Sequence, residues 1–221
     1  MVQNSPDGTA GRLVIDLFTT LDGVAQAPGA PDEDTSGGFR FGGWQAPLFD
    51  EVVGDSVGAS IRDMDALLLG RRTYDIFAAY WPQAEDGPDG DIARRFNRVP
   101  KFVASRDTTL QPRWQGTERI GDDLATEVQE LRRRYGQINV IGSVNLVQTL
   151  LADGLYDELR TWVYPVVLGE GKKVFPDGTA PANLRLSGPA VTSPKGAVLL
   201  RYTPASGVPG TGDMSRDDRG L

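Results

Sequence analysis

Three short stretches of this chain carry groups suited to holding anions. Gly70-Arg71-Arg72-Thr73 combines a backbone that a ligand can approach closely with two guanidinium groups and a hydroxyl, a set suited to phosphate. Ser105-Arg106 adds a second hydroxyl and guanidinium pair, and Gly142-Ser143, flanked by Ile141 and Val144, is a tight corner. Three carboxylates are candidates for substrate contact: Asp22, in an Asp-Gly turn, and the neighbours Asp50 and Glu51. Each has a structural reading too, as a turn acid for Asp22 and as acids complementing a helix dipole for the other two.

Each anion-suited stretch sits where a strand should end. Ala66 to Gly70 is an apolar run, after which Tyr74, Phe77, Ala78 and Trp81 fall at helical spacing, so a buried strand turns into a helix at Gly70. Lys101 to Ala104 leads into Ser105 in the same way, and Ile138 to Ile141 leads into a helix over Val144 to Ala152. Backbone N–H groups at such helix starts carry partial positive charge, which favours an anion.

The remaining elements follow from periodicity. Arg12 to Phe18 is a first strand, continuously apolar enough to be buried on both faces, and it enters the Thr19 to Gly23 corner. Ala25 to Gly43, rich in Gly, Pro and acids, is long for a connection and is expected to be a lid or to be disordered. Pro47 suits the first turn of a helix whose face carries Phe49, Val52, Val53, Val57 and Ile61. Asp91 to Arg98 is a short helix, Thr117 to Ile120 a brief strand, and Asp122 or Asp123 the cap of a helix carrying Leu124, Val128 and Leu131. From Asp157 onward only strands are expected, at Asp157 to Leu168, Lys172 to Phe175, Leu184 to Ser187, Ala190 to Thr192 and Ala197 to Tyr202. The class is therefore α/β, a mostly parallel sheet with antiparallel C-terminal edge strands and helices on both faces. In such a sheet the four corners at Thr19 to Gly23, Gly70 to Thr73, Ser105-Arg106 and Gly142-Ser143 should converge beyond the strand ends.

Composition narrows the chemistry. The 221 residues include no histidine and no cysteine, which removes the commonest general base, thiolate chemistry and disulfides. Proton transfer must fall to carboxylates, Tyr, Lys, water or the substrate. Thirty acidic against 23 basic residues, a formal charge of −7, argues against a nucleic-acid partner. Residues 1–11 show no signal-peptide pattern and no apolar run approaches the ~20 residues of a membrane span, so the chain reads as cytoplasmic. One domain over residues 12–203 is expected, between a flexible N-terminus at 1–11 and a disordered tail at 204–221.

The chain resembles the dihydrofolate reductase-like family, and within it the single-domain relatives of the riboflavin-biosynthesis reductase domain. The resemblance lies in Thr20-Leu21-Asp22-Gly23, Leu69-Gly70-Arg71-Arg72-Thr73-Tyr74, Ser105-Arg106, Ile141-Gly142-Ser143, Asp153-Gly154-Leu155-Tyr156-Asp157-Glu158-Leu159 and Pro165 to Gly171. It implies an NADPH-dependent reductase acting on a small heterocyclic or carbonyl substrate. By its pattern Gly70, Arg71, Arg72 and Thr73 hold cofactor phosphates, Ser105 and Arg106 take the 2′-phosphate, and Ile141, Gly142, Ser143 and Val144 border the pyrophosphate. The chain departs from the pattern at Ser143, where a second glycine is usual, and at Ile141, where riboflavin-pathway reductases commonly carry an acid. Two other readings stay open: the pathway's 5-amino-6-(5-phosphoribosylamino)uracil reductase, and an NADP(H)-binding protein without catalysis. A homodimer is expected, because dimers are common and the long apolar strand at Asp157 to Leu168 calls for cover.

Overall fold

The computed structural model describes residues 10–213; the rest of the two ends expected to be flexible or disordered, residues 1–9 and 214–221, lies outside the described residues. Strand β1 (Arg12–Thr20) leads through a long connection to helix α1 (Glu51–Asp63), then β2 (Ala66–Gly70) and α2 (Arg71–Tyr80). Helix α3 (Gly90–Arg98), β3 (Lys101–Ala104) and β4 (Thr117–Ile120) follow, and α4 (Leu124–Arg134), β5 (Gln137–Val140) and α5 (Val144–Ala152) complete the alternating part. The C-terminal part is β6 (Glu158–Tyr164), β7 (Asn183–Leu186), β8 (Val191–Thr192) and β9 (Val198–Ala205). Strand β9 thus runs past the expected start of the tail at Pro204.

The strands form one sheet in the order β4-β3-β2-β5-β1-β6-β9-β7, with β8 against β9. Pairings from β4 through β6 are parallel, while β9 pairs antiparallel with β6, β7 and β8. Period-two alternation distributes the apolar residues to both faces. Leu13, Ile15 and Leu17 of β1 with Ala66 and Leu68 of β2 meet Val128 and Leu131 of α4 and Val147 and Leu150 of α5. Leu67 and Leu69 point the other way, toward Ile61 of α1, Tyr74 of α2 and Phe96 of α3. The chain crosses from β1 to β2 and only later inserts β5 between them, so β2 and β5 carry their following helices on opposite faces. Ligand clefts form where neighbouring strands diverge in this way.

Several expectations need correction. The helix expected from Pro47 begins at Glu51, because Asp50 accepts a hydrogen bond from the Val53 N–H at 3.1 Å and so caps it; Pro47 lies in a separate short turn, Ala46–Leu48. The strand expected at Lys172 to Phe175 is a single bridge between Lys173 and Val24. β6 stops at Tyr164, where Pro165 removes the next ladder donor. β6 is also an interior strand between β1 and β9, so it needs no partner subunit to cover it. Among the described residues no helix is long and apolar enough to cross a membrane.

Candidate functional site

A cavity of about 970 Å³ opens at the carboxyl ends of β2, β3 and β5. Its wall includes Gly70, Arg71, Arg72 and Thr73 from the β2–α2 corner and Ser105 and Arg106 beyond β3. Ile141, Gly142, Ser143 and Val144 complete that wall from the β5–α5 corner. All ten residues singled out as anion or cofactor contacts therefore border one space.

The two central corners are built by close backbone approach. Gly70 N–H donates to Gly142 O at 2.9 Å, so the last residues of β2 and β5 are tied together. A Cβ on Gly70 would collide with the Ser143 hydroxyl and lie 2.8 Å from its backbone nitrogen. Gly142 has φ +144°, in the range that favours glycine, and a Cβ there would lie 2.7 Å from Thr73 Oγ1. Helices α2 and α5 start at these corners, and neither Gly70 nor Ser143 supplies a side-chain cap, whereas Asp50 caps α1 and Asp123 caps α4. Two helix starts thus present N–H groups without side-chain partners beside the cavity.

The cations at this wall differ in how they are engaged. Arg71 Nε donates to both oxygens of Asp75, at 3.0 and 2.8 Å, and its Nη1 lies 3.3 Å from Asp107 Oδ2. Asp75, and Asp107 after it, raise the Arg71 pKa further. Arg72 Nη1 meets Asp34 Oδ1 at 3.1 Å. Arg106 is exposed and has no ion pair among the described residues.

The opposite side comes from β1 and the long connection after it. Residues 25–29, Glu33 and Asp34 line the cavity with Asp16, Phe18, Gln45 and Lys172. The connection is ordered by a few polar contacts. Gln26 Nε2 donates to the carbonyls of Asp34 and Ser36, both at 2.9 Å, and Trp44 Nε1 donates to Gln26 O at 2.8 Å. Lys172 Nζ reaches Asp34 Oδ2 at 2.7 Å and Ser36 Oγ at 2.7 Å. Burial works against charge on Asp34, yet the Lys172 and Ser36 donors hold its carboxyl below the usual range. Asp16 goes the other way: burial pushes its carboxyl up against the lowering influence of Arg160, Ser60 and Asn139.

The three carboxylates proposed for substrate contact do not line the cavity. Asp22 accepts from Thr20 Oγ1 at 2.6 Å, Gly169 N at 2.9 Å and Leu168 N at 3.2 Å. It clamps the turn after β1 to the segment after β6, so the Thr19 to Gly23 corner is the one of four that stays away from the cavity. Asp50 is held by Val53 N and Lys195 N, and Glu51 is exposed at the start of α1. Asp16, Gln26, Asp34 and Lys172 were not anticipated. Asp16 had a signal, an ionisable residue inside an otherwise apolar strand.

The role of Asp22 is open to test. Asp22→Ala is expected to lower stability by about 1 kcal/mol, a solvent-screened loss of charge-assisted hydrogen bonds, without changing ligand affinity at the cavity. Burial opposes charge on Asp22, but Thr20, Gly169 and Leu168 outweigh it and hold its pKa low. Its contribution is therefore present above the ordinary carboxylate pKa and is lost as pH falls through the depressed folded value. Thermal melts of parent and variant should converge in acid; a constant gap down to the lowest pH would contradict this.

Comparison with known proteins places the chain. The model of the RibD C-terminal domain matches residues 12–197. An uncharacterized protein, YyaP, of Bacillus subtilis (strain 168) is 30% identical over 178 residues, covering 79% of this chain and 86% of its own. Among solved structures, a putative riboflavin biosynthesis protein from Shewanella sp. PV-4 superposes with TM-score 0.66 at 20% identity, over 88% of this chain and 99% of that one. A dihydrofolate reductase from Enterococcus faecalis, complexed with NADP(H), superposes with TM-score 0.54 at 14% identity, over 89% and 98%. With its nine-stranded mixed sheet, this chain has the dihydrofolate reductase-like fold and belongs to the RibD C-terminal domain family.

Proposed function

We propose that this protein is an NADPH-dependent reductase that delivers hydride to a small heterocyclic or carbonyl substrate. The observation that carries the reading is the pair of glycine corners, each too close to its neighbour for a Cβ, beside two helix starts without side-chain caps. That cradle fits a pyrophosphate, because the backbone can approach closely and the N–H groups meet its charge. Arg106, which has no ion pair among the described residues, fits the 2′-phosphate that distinguishes NADPH from NADH. Family membership and the NADP(H) complex of the dihydrofolate reductase neighbour support the same assignment.

When bound, NADPH supplies the hydride. The chain's part is to hold the phosphates at Gly70 to Thr73 and Gly142 to Val144 and to shape a cleft at the β1 side. Phe18 of β1, with Phe77 of α2 and Trp81 just after it, line the same cavity with apolar rings against which a flat ring can be aligned and kept dry. Arg71 and Arg72 leave Asp75, Asp107 and Asp34 in part when they turn toward phosphate, so binding exchanges internal ion pairs for ligand contacts.

Titration with NADPH and NADH, followed by nucleotide fluorescence, is expected to show at least about tenfold tighter binding of NADPH, the worth of one charge-assisted contact. No binding of either at millimolar concentration would reject the reading. A second reading, reduction of the ribosylaminopyrimidine of riboflavin biosynthesis, is favoured by the family itself. Turnover of 5-amino-6-(5-phosphoribosylamino)uracil at a rate above that of simple carbonyls would select it. Ile141, apolar at the cavity wall, weighs against it.

A further inference from the structure

We propose that the cleft between α1 and α3 is a second anion site, separate from the large cavity, and that it takes a small diphosphate. A cavity of about 340 Å³ opens there, lined by Arg62 of α1 and by Arg94, Arg95 and Arg98 of α3. Asp91 is the one carboxylate in its lining, and no lining residue is shared with the large cavity. Four guanidinium groups against one carboxylate leave a local surplus of three positive charges, in a chain whose formal charge is −7.

Arginines in the last turn of a helix ordinarily complement its carbonyls. At both helices that work is done by other atoms. Arg95 crosses from α3 to the end of α1, where Nε donates to Ile61 O at 3.4 Å and Nη2 donates to Arg62 O at 3.2 Å and to Met64 O. At the end of α3 the buried Lys101 donates through Nζ to the carbonyls of Phe96, Asn97 and Val99, at 3.0, 3.0 and 2.9 Å. Arg94 is held by Asp91 and by Glu85 O. Arg62 and Arg98 are left without a side-chain hydrogen bond or ion pair to any described residue, and both border the same cavity.

The walls are set before a ligand arrives. The Arg95 bonds lock α3 to the end of α1, and the Arg62 head group rests against the helix where a side chain is missing: a Cβ on Gly58 would come 3.3 Å from Arg62 Nη1. Buried Ile61 and half-buried Ile92 add apolar surface to the lining. Guanidinium forks match phosphate oxygens two at a time. A diphosphate carries, near neutral pH, about the charge that the surplus offers, whereas a single carboxylate gains little from exposed arginines. The volume is that of a small-molecule site rather than of a peptide groove.

The test is an arginine footprint of the full chain, in which phenylglyoxal modification at low ionic strength is read residue by residue by mass spectrometry. Saturating pyrophosphate is expected to slow modification of Arg62 and Arg98 at least about tenfold, and sulfate at equal ionic strength should not. Arg98→Gln should raise the pyrophosphate concentration that protects Arg62 at least about tenfold, with the melting curve showing a folded protein and NADPH affinity unchanged. ADP in place of pyrophosphate distinguishes the sources of the group: stronger protection by ADP supports the end group of a larger molecule, and weaker protection supports the free ion. Equal modification with and without pyrophosphate, equal protection by sulfate, or protection of Arg62 that survives Arg98→Gln would overturn the proposal. Protection by polyglutamate at lower concentration than by pyrophosphate would also overturn it, in favour of an acidic protein partner. Modification of Arg71 and Arg106 reports on the large cavity in the same samples, so failure of the reductase reading leaves this result intact.

Discussion

Gly70→Ala is expected to weaken NADPH binding roughly a hundredfold and to lower the melting temperature, since overpacking of this kind costs about 1–3 kcal/mol and here falls on the corner proposed to seat the ligand. The added Cβ would overlap the Ser143 hydroxyl and stand 2.8 Å from the Ser143 nitrogen and 3.0 Å from its Cβ. A hydroxyl can rotate away, but the nitrogen belongs to the backbone at the start of α5 and moves only with the corner. The same shift stretches the Gly70 N–H bond to Gly142 O, which ties the two glycine corners together. Ser143→Gly removes the hydroxyl and the Cβ yet leaves the nitrogen, so the double variant Gly70→Ala with Ser143→Gly should recover only part of the loss. Binding within threefold of the parent for Gly70→Ala, in a folded protein, would show that ligand phosphates do not sit at this corner.

That the corners after β2, β3 and β5 border one cavity was legible because their signals are local. A strand that ends in Gly-Arg-Arg-Thr and turns into a helix is one continuous stretch, and parallel topology then brings such ends to one edge. The opposite wall, from β1 and the connection after it, depends on contacts across the fold. Asp16 gains its environment from Ser60, Asn139 and Arg160, which lie 44, 123 and 144 positions away in the chain, and the last of these is not even a direct contact. Asp34 in turn is defined by Arg72 and Lys172. The three acids chosen in their place lie where acids have strong local roles, in a turn and at a helix start, and the structure uses them in those roles. The connection at Ala25 to Gly43 reads from sequence as either a lid or disorder, because its order comes from buried side chains such as Gln26 and Asp34 rather than from periodicity.

Discrimination between NADPH and NADH should rest on Arg106. Arg106→Ala is expected to weaken NADPH roughly tenfold to a hundredfold while leaving NADH affinity nearly unchanged, because only NADPH carries the 2′-phosphate. A site built for NADH would offer an acid to the free ribose hydroxyl, and Asp107 is the nearest in sequence. That carboxylate is occupied: its Oδ1 accepts from Thr109 N at 3.0 Å and Thr109 Oγ1 at 2.6 Å, and its Oδ2 faces Arg71 at 3.3 Å. Thr109, and Arg71 after it, hold Asp107 ionised, so it repels a 2′-phosphate without being free to recruit a hydroxyl. Arg106 must therefore overcome a fixed negative neighbour, and removing it should leave a site with little preference rather than one converted to NADH. Because the contact is exposed, the NADPH preference of the parent should shrink as salt is raised, whereas that of the variant should not. Equal loss of both nucleotides in Arg106→Ala would move this side chain from the 2′-phosphate to the pyrophosphate, and an unchanged NADPH affinity would remove it from the site.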